Sequence, residues 1–267
     1  MSPDEPLEYS QPRPFRQLLD EIREKLWTFS VFVYRVDGER PAYRGTATCV
    51  CTGGARCLLT AAHVWRALPG DRFAVGLDEG RLLIPIQRHF VNTRVLSGNG
   101  PDEWGPDLAL IRLPDLIASD LRQRKAFYDL DRKRPEPRVA ADEGNLWTLI
   151  GAPEEQSTFG PGEAVLRLTL FDSWIRPESC EREGFDYVDV TFDHLRRQSL
   201  PHSYGGISGS GLWRIPTARP SDGLISWTHA VRLEGVAFFQ KPIPTQQHII
   251  RCHGRKSIYR RLLQDQA

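Results

Sequence analysis

Short β-branched and aromatic runs, broken by turn signals, recur from residue 26 to residue 239. They read LWTFSVFVYRV (26–36), GTATCVC (45–51), RCLLTAA (56–62), DRFAVGL (71–77), RLLIPIQRHFV (81–91) and DLALIRL (107–113). The later ones are NLWTLIG (145–151), AVLRLTLF (164–171), DYVDVTFD (186–193), GSGLWRI (209–215) and HAVRLEGVAFF (229–239). Runs of this length and composition form strands, and the scarcity of long helical patterns between them argues against alternating βαβ units. In 188–193, Val188, Val190 and Phe192 alternate with Asp189, Thr191 and Asp193, the pattern of a half-buried strand. Gly53-Gly54, between two such runs, predicts a hairpin turn. The expected class is therefore all-β, a barrel or a sandwich.

Helices are expected only at the two ends. Phe15, Leu18, Leu19, Ile22 and Leu26 share one face at helical spacing. Ser257 can cap a short final helix that turns Ile258, Leu262 and Leu263 inward. The segment 121–138 breaks the strand pattern with seven basic residues, three acidic residues and two prolines. It reads as a solvated linker, without the interleaved aromatics of a nucleic-acid surface. The expected organisation is a tail and helix over 1–25, a first β unit over 26–120, a linker over 121–140 and a second β unit over 141–267.

At 267 residues with 40% hydrophobic residues, the chain can bury a sizeable core. The net charge of +1 gives no global reason to expect nucleic acid or membrane as a partner. No run approaches the ~20 apolar residues of a membrane span. The polar, proline-rich start MSPDEPLEYSQPRP lacks a secretory-signal pattern, so the expected compartment is the cytoplasm. Five cysteines, an odd number without a regular framework, read as free thiols in a reducing compartment. Cys49, Cys51, Cys57 and His63 match no familiar zinc spacing, so no metal or other cofactor is expected.

Three segments carry chemistry. In LLTAAHVW (58–65) an apolar run ends in small residues before His63; alone, this is most simply a structural histidine. In WGPDLALIRL (104–113), Asp107 opens an apolar strand. A carboxylate there is costly unless compensated, either by its own turn backbone or by an imidazole N–H. In GGISGSG (205–211), Gly205, Gly206 and Gly209 surround Ser208. Glycine's backbone freedom lets such a turn aim two N–H groups at one point, although a flexible glycine-serine loop has the same composition.

Taken together, TAAH, DLALI and GxSGSG, in this order and spacing, resemble the trypsin/chymotrypsin-fold serine peptidases, most of all the disulfide-poor bacterial and HtrA-type branch. The resemblance covers about 26–262. It implies two six-stranded antiparallel β-barrels with Ser208 as nucleophile, His63 as general base and Asp107 orienting His63. It further implies an oxyanion hole from the Gly206 and Ser208 N–H groups. The expected activity is serine endopeptidase hydrolysis of a protein or peptide through an acyl-enzyme. Regulated cytosolic members of this branch suggest a defence or stress role. Ser203 and Ser210 lack the upstream glycine turn.

The chain departs from the digestive trypsins in places. Ile207 stands where those enzymes carry an aspartate that pairs with a newly cut N-terminus. The oxyanion turn is thus expected to form constitutively or to be set by loop movement or an activating protein partner. By the same resemblance, His202 falls at the floor of the primary pocket and Phe238, Phe239 and Gln240 on its wall. Gln240 replaces a glycine and would narrow the entrance. The remaining histidines, His89, His194, His229, His248 and His253, show no partner pattern and read as structural or exposed. A catalytically silent binding module on this fold is the alternative. An α/β-hydrolase reading fails, because Ser210 occupies the position where its elbow motif requires glycine.

Overall fold

The computed structural model describes residues 10–36, 41–77, 82–98, 103–132, 144–160, 163–193, 201–218, 224–228, 230–242 and 247–264. A helix, α1 (Phe15–Trp27), leads into β1 (Ser30–Arg35), β2 (Ala42–Thr52) and β3 (Ala55–Thr60), followed by the short helix α2 (Ala62–Arg66). Next come β4 (Arg72–Leu77), β5 (Leu82–Gln87), β6 (Asn92–Ser97), β7 (Asp107–Arg112), the helix α3 (Asp115–Arg122) and β8 (Tyr128–Asp129). The second half contains β9 (Asn145–Gly151), β10 (Thr158–Gly160), β11 (Glu163–Val165), β12 (Thr169–Ser173), β13 (Glu178–Arg182) and β14 (Phe185–Asp193). It ends with β15 (Gly211–Ala218), β16 (Ser226–Trp227), β17 (Arg232–Lys241), β18 (Gln247–Gly254) and a π-helical turn at Ser257–Leu262.

Apart from β10 and β11, which pair only with each other, the strands form two sheets in the order β5-β4-β1-β2-β3-β7-β6 and β12-β9-β15-β17-β18-β14-β13. The chain is mostly β, as expected, and pairing along both paths is antiparallel. Each sheet has eight strands rather than six: seven lie along the path, and β8 joins β2 and β16 joins β15 at the side. Among the described residues, no ladder joins β5 to β6 or β12 to β13, so both paths are open. The Gly53-Gly54 hairpin forms, with φ of +54° and +75° and Thr52 paired to Ala55.

Two segments differ from the sequence expectation. The described part of the expected linker is packed on one side rather than wholly solvated. Leu121, Lys125, Tyr128 and Leu130 are buried, and Tyr128 pairs in parallel with Val50. The Lys125 charge is compensated by the Trp27 carbonyl at 2.9 Å and the Trp27 ring at 3.2 Å. Residues 133–140 of that segment lie outside the described residues. At the C-terminus Ser257 is no cap. The Asp186 carboxylate accepts the Lys256 and Ser257 N–H groups, and the Ser257 hydroxyl donates to it as well.

The largest core cluster lies between the sheets. Leu18, Ile22 and Leu26 of α1 meet Val50, Leu59 and Leu110 of the first sheet and Leu146, Ile150, Trp213 and Val236 of the second. No described helix is long and apolar enough to cross a membrane.

Candidate functional site

His63 and Asp107 arrive at the same end of the first sheet by neighbouring routes. Strand β3 pairs with β7, with Thr60 opposite Ala109. The chain leaves β3 through buried Ala61 and Ala62 and turns into α2 at His63, while Asp107 opens β7. The Asp107 carboxylate accepts the His63 backbone N–H at 2.7 Å through Oδ1. Its other oxygen, Oδ2, lies 2.5 Å from His63 Nδ1. An ionised carboxylate can only accept, so the His63 proton sits on Nδ1 and the lone pair on Nε2. The Asp107 side chain is 11% exposed and that of His63 37%, so the carboxylate is sheltered while the imidazole is open to solvent.

Ser208 comes from the second sheet but is tied to the first. Its carbonyl accepts the Thr46 N–H of β2 at 2.9 Å. Gly209 has a φ of +88°, and a Cβ there would overlap the Thr46 carbonyl and the Thr60 hydroxyl. Only glycine lets the loop approach β2 and the end of β3 so closely. On the other side Gly209 N–H donates to Ala237 at 2.7 Å and the Ala237 N–H to Ser210 at 2.9 Å, linking the loop to β17. Ser208 is half-buried, whereas Ser210 is fully buried, with its hydroxyl unpaired.

In the turn itself, Ile207 N–H donates to Tyr204 and Ser210 N–H to Ile207. Among the described residues, the N–H groups of Gly206 and Ser208 donate to no intramolecular acceptor. No hydrogen bond joins the Ser208 hydroxyl to His63.

The pocket residues are placed unequally. His202 is exposed, and its carbonyl accepts from Gln240 Nε2 at 3.1 Å. Gln240 Oε1 accepts the Tyr204 N–H at 3.0 Å, so this side chain bridges β17 and the segment before Ser208. Phe238 turns inward and stacks on His253, with ring centroids 4.3 Å apart. A register shift between Ala237 and Phe239 makes Phe238 the extra residue of β17. Phe239 is half-buried.

His253, read from sequence as structural or exposed, lies directly behind Asp107. Its Nε2 accepts the Asp107 N–H at 3.0 Å, which puts the ring proton on Nδ1. Burial lowers its pKa to about 4, against the opposing pull of the Asp107 carboxylate and the Gly105 backbone. The signal was faint in sequence, because the partners are 146 residues apart. His194 and His229 lie outside the described residues.

All five cysteines are free. Burial pushes the thiols of Cys49 and Cys57 up to about 12, which makes them poor nucleophiles and poor ligands. Among the described residues, no cluster of three or more His, Cys, Asp or Glu is arranged to hold a metal ion.

No family model and no curated protein matches the chain. Among solved structures, one reported as "Atomic resolution structure of HBP" is 14% identical, with a TM-score of 0.51, and the match covers 98% of this chain and 96% of that one. The overall fold is therefore shared with that protein. A chain reported under "Aromatic interactions drive the coupled folding and binding of the intrinsically disordered Sesbania mosaic virus VPg protein" is 15% identical. Its TM-score is 0.47, over 89% of this chain and 92% of that one.

Proposed function

We propose that the chain is a serine endopeptidase of the chymotrypsin-like, two-barrel type. Ser208 is the nucleophile, His63 the general base and acid, and Asp107 the residue that orients His63. The observation that carries this reading is the double bond pattern from one sheltered carboxylate to the ring and backbone of His63. It selects the tautomer whose free lone pair can accept the Ser208 proton. The unpaired Gly206 and Ser208 N–H groups support the reading as donors to the oxyanion.

In the forward step Ser208 Oγ bonds to the peptide carbonyl carbon, and its proton passes to His63 Nε2. The carbonyl oxygen becomes an oxyanion, met by the N–H groups of Gly206 and Ser208. The C–N bond then breaks, and Nε2–H gives its proton to the leaving amine. Water repeats the cycle on the acyl-enzyme and releases the acid. Every group in this scheme belongs to the chain itself.

A silent binding module is the second reading. It is favoured by the missing Ser208–His63 hydrogen bond and by the Gln240 bridge across the expected pocket mouth. Hydrogen bonds of this kind commonly tighten only when substrate binds, so the peptidase reading is preferred.

A fluorophosphonate probe separates the two. The wild type and Ser210→Ala are expected to label covalently, and Ser208→Ala to stay unlabelled. Replacing His63 with alanine should slow labelling by about a thousandfold or more. A folded wild type that never labels supports the binding module.

A further inference from the structure

The turn that precedes Ser208 has an uncommon support. Gly206 has a φ of +89°, and a glycine in such a turn can flip its flanking peptides at low energetic cost. A flip before Gly206 would put the Gly205 carbonyl where the Gly206 N–H points, and a flip after it would rotate the linkage between the Gly206 and Ser208 N–H groups; either would spoil an oxyanion hole. Both flanking peptides of Gly206 are nevertheless held. The Gly205 carbonyl accepts the Glu154 N–H at 2.8 Å. The Gly206 carbonyl accepts the Tyr43 hydroxyl at 2.5 Å and the Thr46 hydroxyl at 3.1 Å. The two hydroxyls lie 3.2 Å apart, and that of Tyr43 is also 3.1 Å from the Ala152 carbonyl.

Tyr43 and Thr46 belong to β2, in the sheet that carries His63, while the turn belongs to the other sheet. The neighbouring side chain in the turn, Ile207, is apolar and buried, so it offers no charge with which to fix the peptide. Burial raises the Tyr43 phenol well above its ordinary pKa and keeps it a donor at any working pH. A Cβ on Gly206 would come within 2.6 Å of the Ala152 carbonyl and 2.7 Å of the Tyr43 ring, so the space beside the turn is already filled.

We propose that Tyr43 and Thr46 are positioning residues. Their paired hydroxyls hold the Gly206 carbonyl, and with it the Gly206–Ile207 peptide, from across the sheet boundary; that peptide links the two whose N–H groups, of Gly206 and Ser208, would meet an oxyanion. This inference rests on the peptidase reading. On this reading the turn is held by groups of the folded chain and not by a cut N-terminus paired to an aspartate at position 207.

The test uses the full chain with Tyr43→Phe, Thr46→Val and the double variant, and with Thr46→Ser as the conservative control. Tyr43→Phe keeps the ring and its packing on Phe32 and Tyr34. It should lower kcat about tenfold, and the double variant about a hundredfold, with KM within about twofold. Thr46→Ser should recover most of the loss seen in Thr46→Val. A loss confined to KM, or a folded double variant whose kcat stays within twofold of wild type, overturns the proposal.

The 1H–15N signals of Gly205, Gly206 and Ile207 give a readout that needs no catalysis. They should be single and sharp in the wild type and broadened or split in Tyr43→Phe. Unchanged signals overturn the clamp whatever the chain does to peptides. A wild type that never labels or cleaves, combined with loosened signals in the variants, refutes the peptidase reading alone and supports the clamp.

Discussion

His253 is the residue on which the candidate base-orienting pair leans. Its Nε2 holds the Asp107 backbone N–H, and it can do so only while unprotonated. Its pKa in the fold is about 4, against about 6.5 for a free histidine. A folded pKa below the unfolded one makes the stability contribution complete above pH 6.5 and progressively lost as the pH falls toward 4. The loss across that window is on the order of 3 kcal/mol. The unfolding midpoint of the wild type should therefore fall between pH 6.5 and 4 more steeply than that of His253→Gln, whose amide oxygen can still accept from Asp107. Parallel pH profiles for the two proteins would show that His253 does not stay neutral in the fold.

At the scale of single elements, β17 bears on what the proposed site would accept. Gln240, near its end, bonds to Tyr204 and His202 and so joins the segment that the resemblance makes the pocket floor to the strand it makes a wall. A peptide library should show cleavage after glycine, alanine or serine in the wild type. Gln240→Gly should raise cleavage after larger side chains by tenfold or more, the size of effect a few methylenes exert in an apolar slot. An identical cleavage profile for the two proteins removes Gln240 from the specificity argument. Such elements also show what sequence can and cannot yield. TAAH, DLALI and GGISGSG were legible because each is local: the small residues, the turn and the strand start lie within a few positions of the residue they present. His253 and Tyr43 were not, because their partners lie 146 and 163 residues away and only strand register brings them together. Helix α3, which starts before the charged segment, gave little signal because only Ala118 and Leu121 of its eight residues are buried. The inward turn of Phe238 follows from a one-residue register shift, which no alternation pattern anticipates.

At the scale of the whole molecule, α1 bears on more than its own packing. Leu18, Ile22 and Leu26 are fully buried in a cluster fed by both sheets, so the helix staples the two halves that supply His63 and Ser208. The site needs both halves in register, since Thr46 of one bonds Ser208 of the other. Loss of the staple should therefore act on the site at a distance. Ile22→Ala removes three buried carbons and should cost about 2–5 kcal/mol. Because the cluster is shared, that cost should appear in the exchange protection of β3 and β15 amides alike, within one cooperative unfolding transition. Labelling of Ser208 by the fluorophosphonate should decline at the same denaturant concentration as the fold. Two separated transitions, with only one sheet responding to Ile22→Ala, would mean that the halves stand independently and that the helix packs beside the site without holding it together.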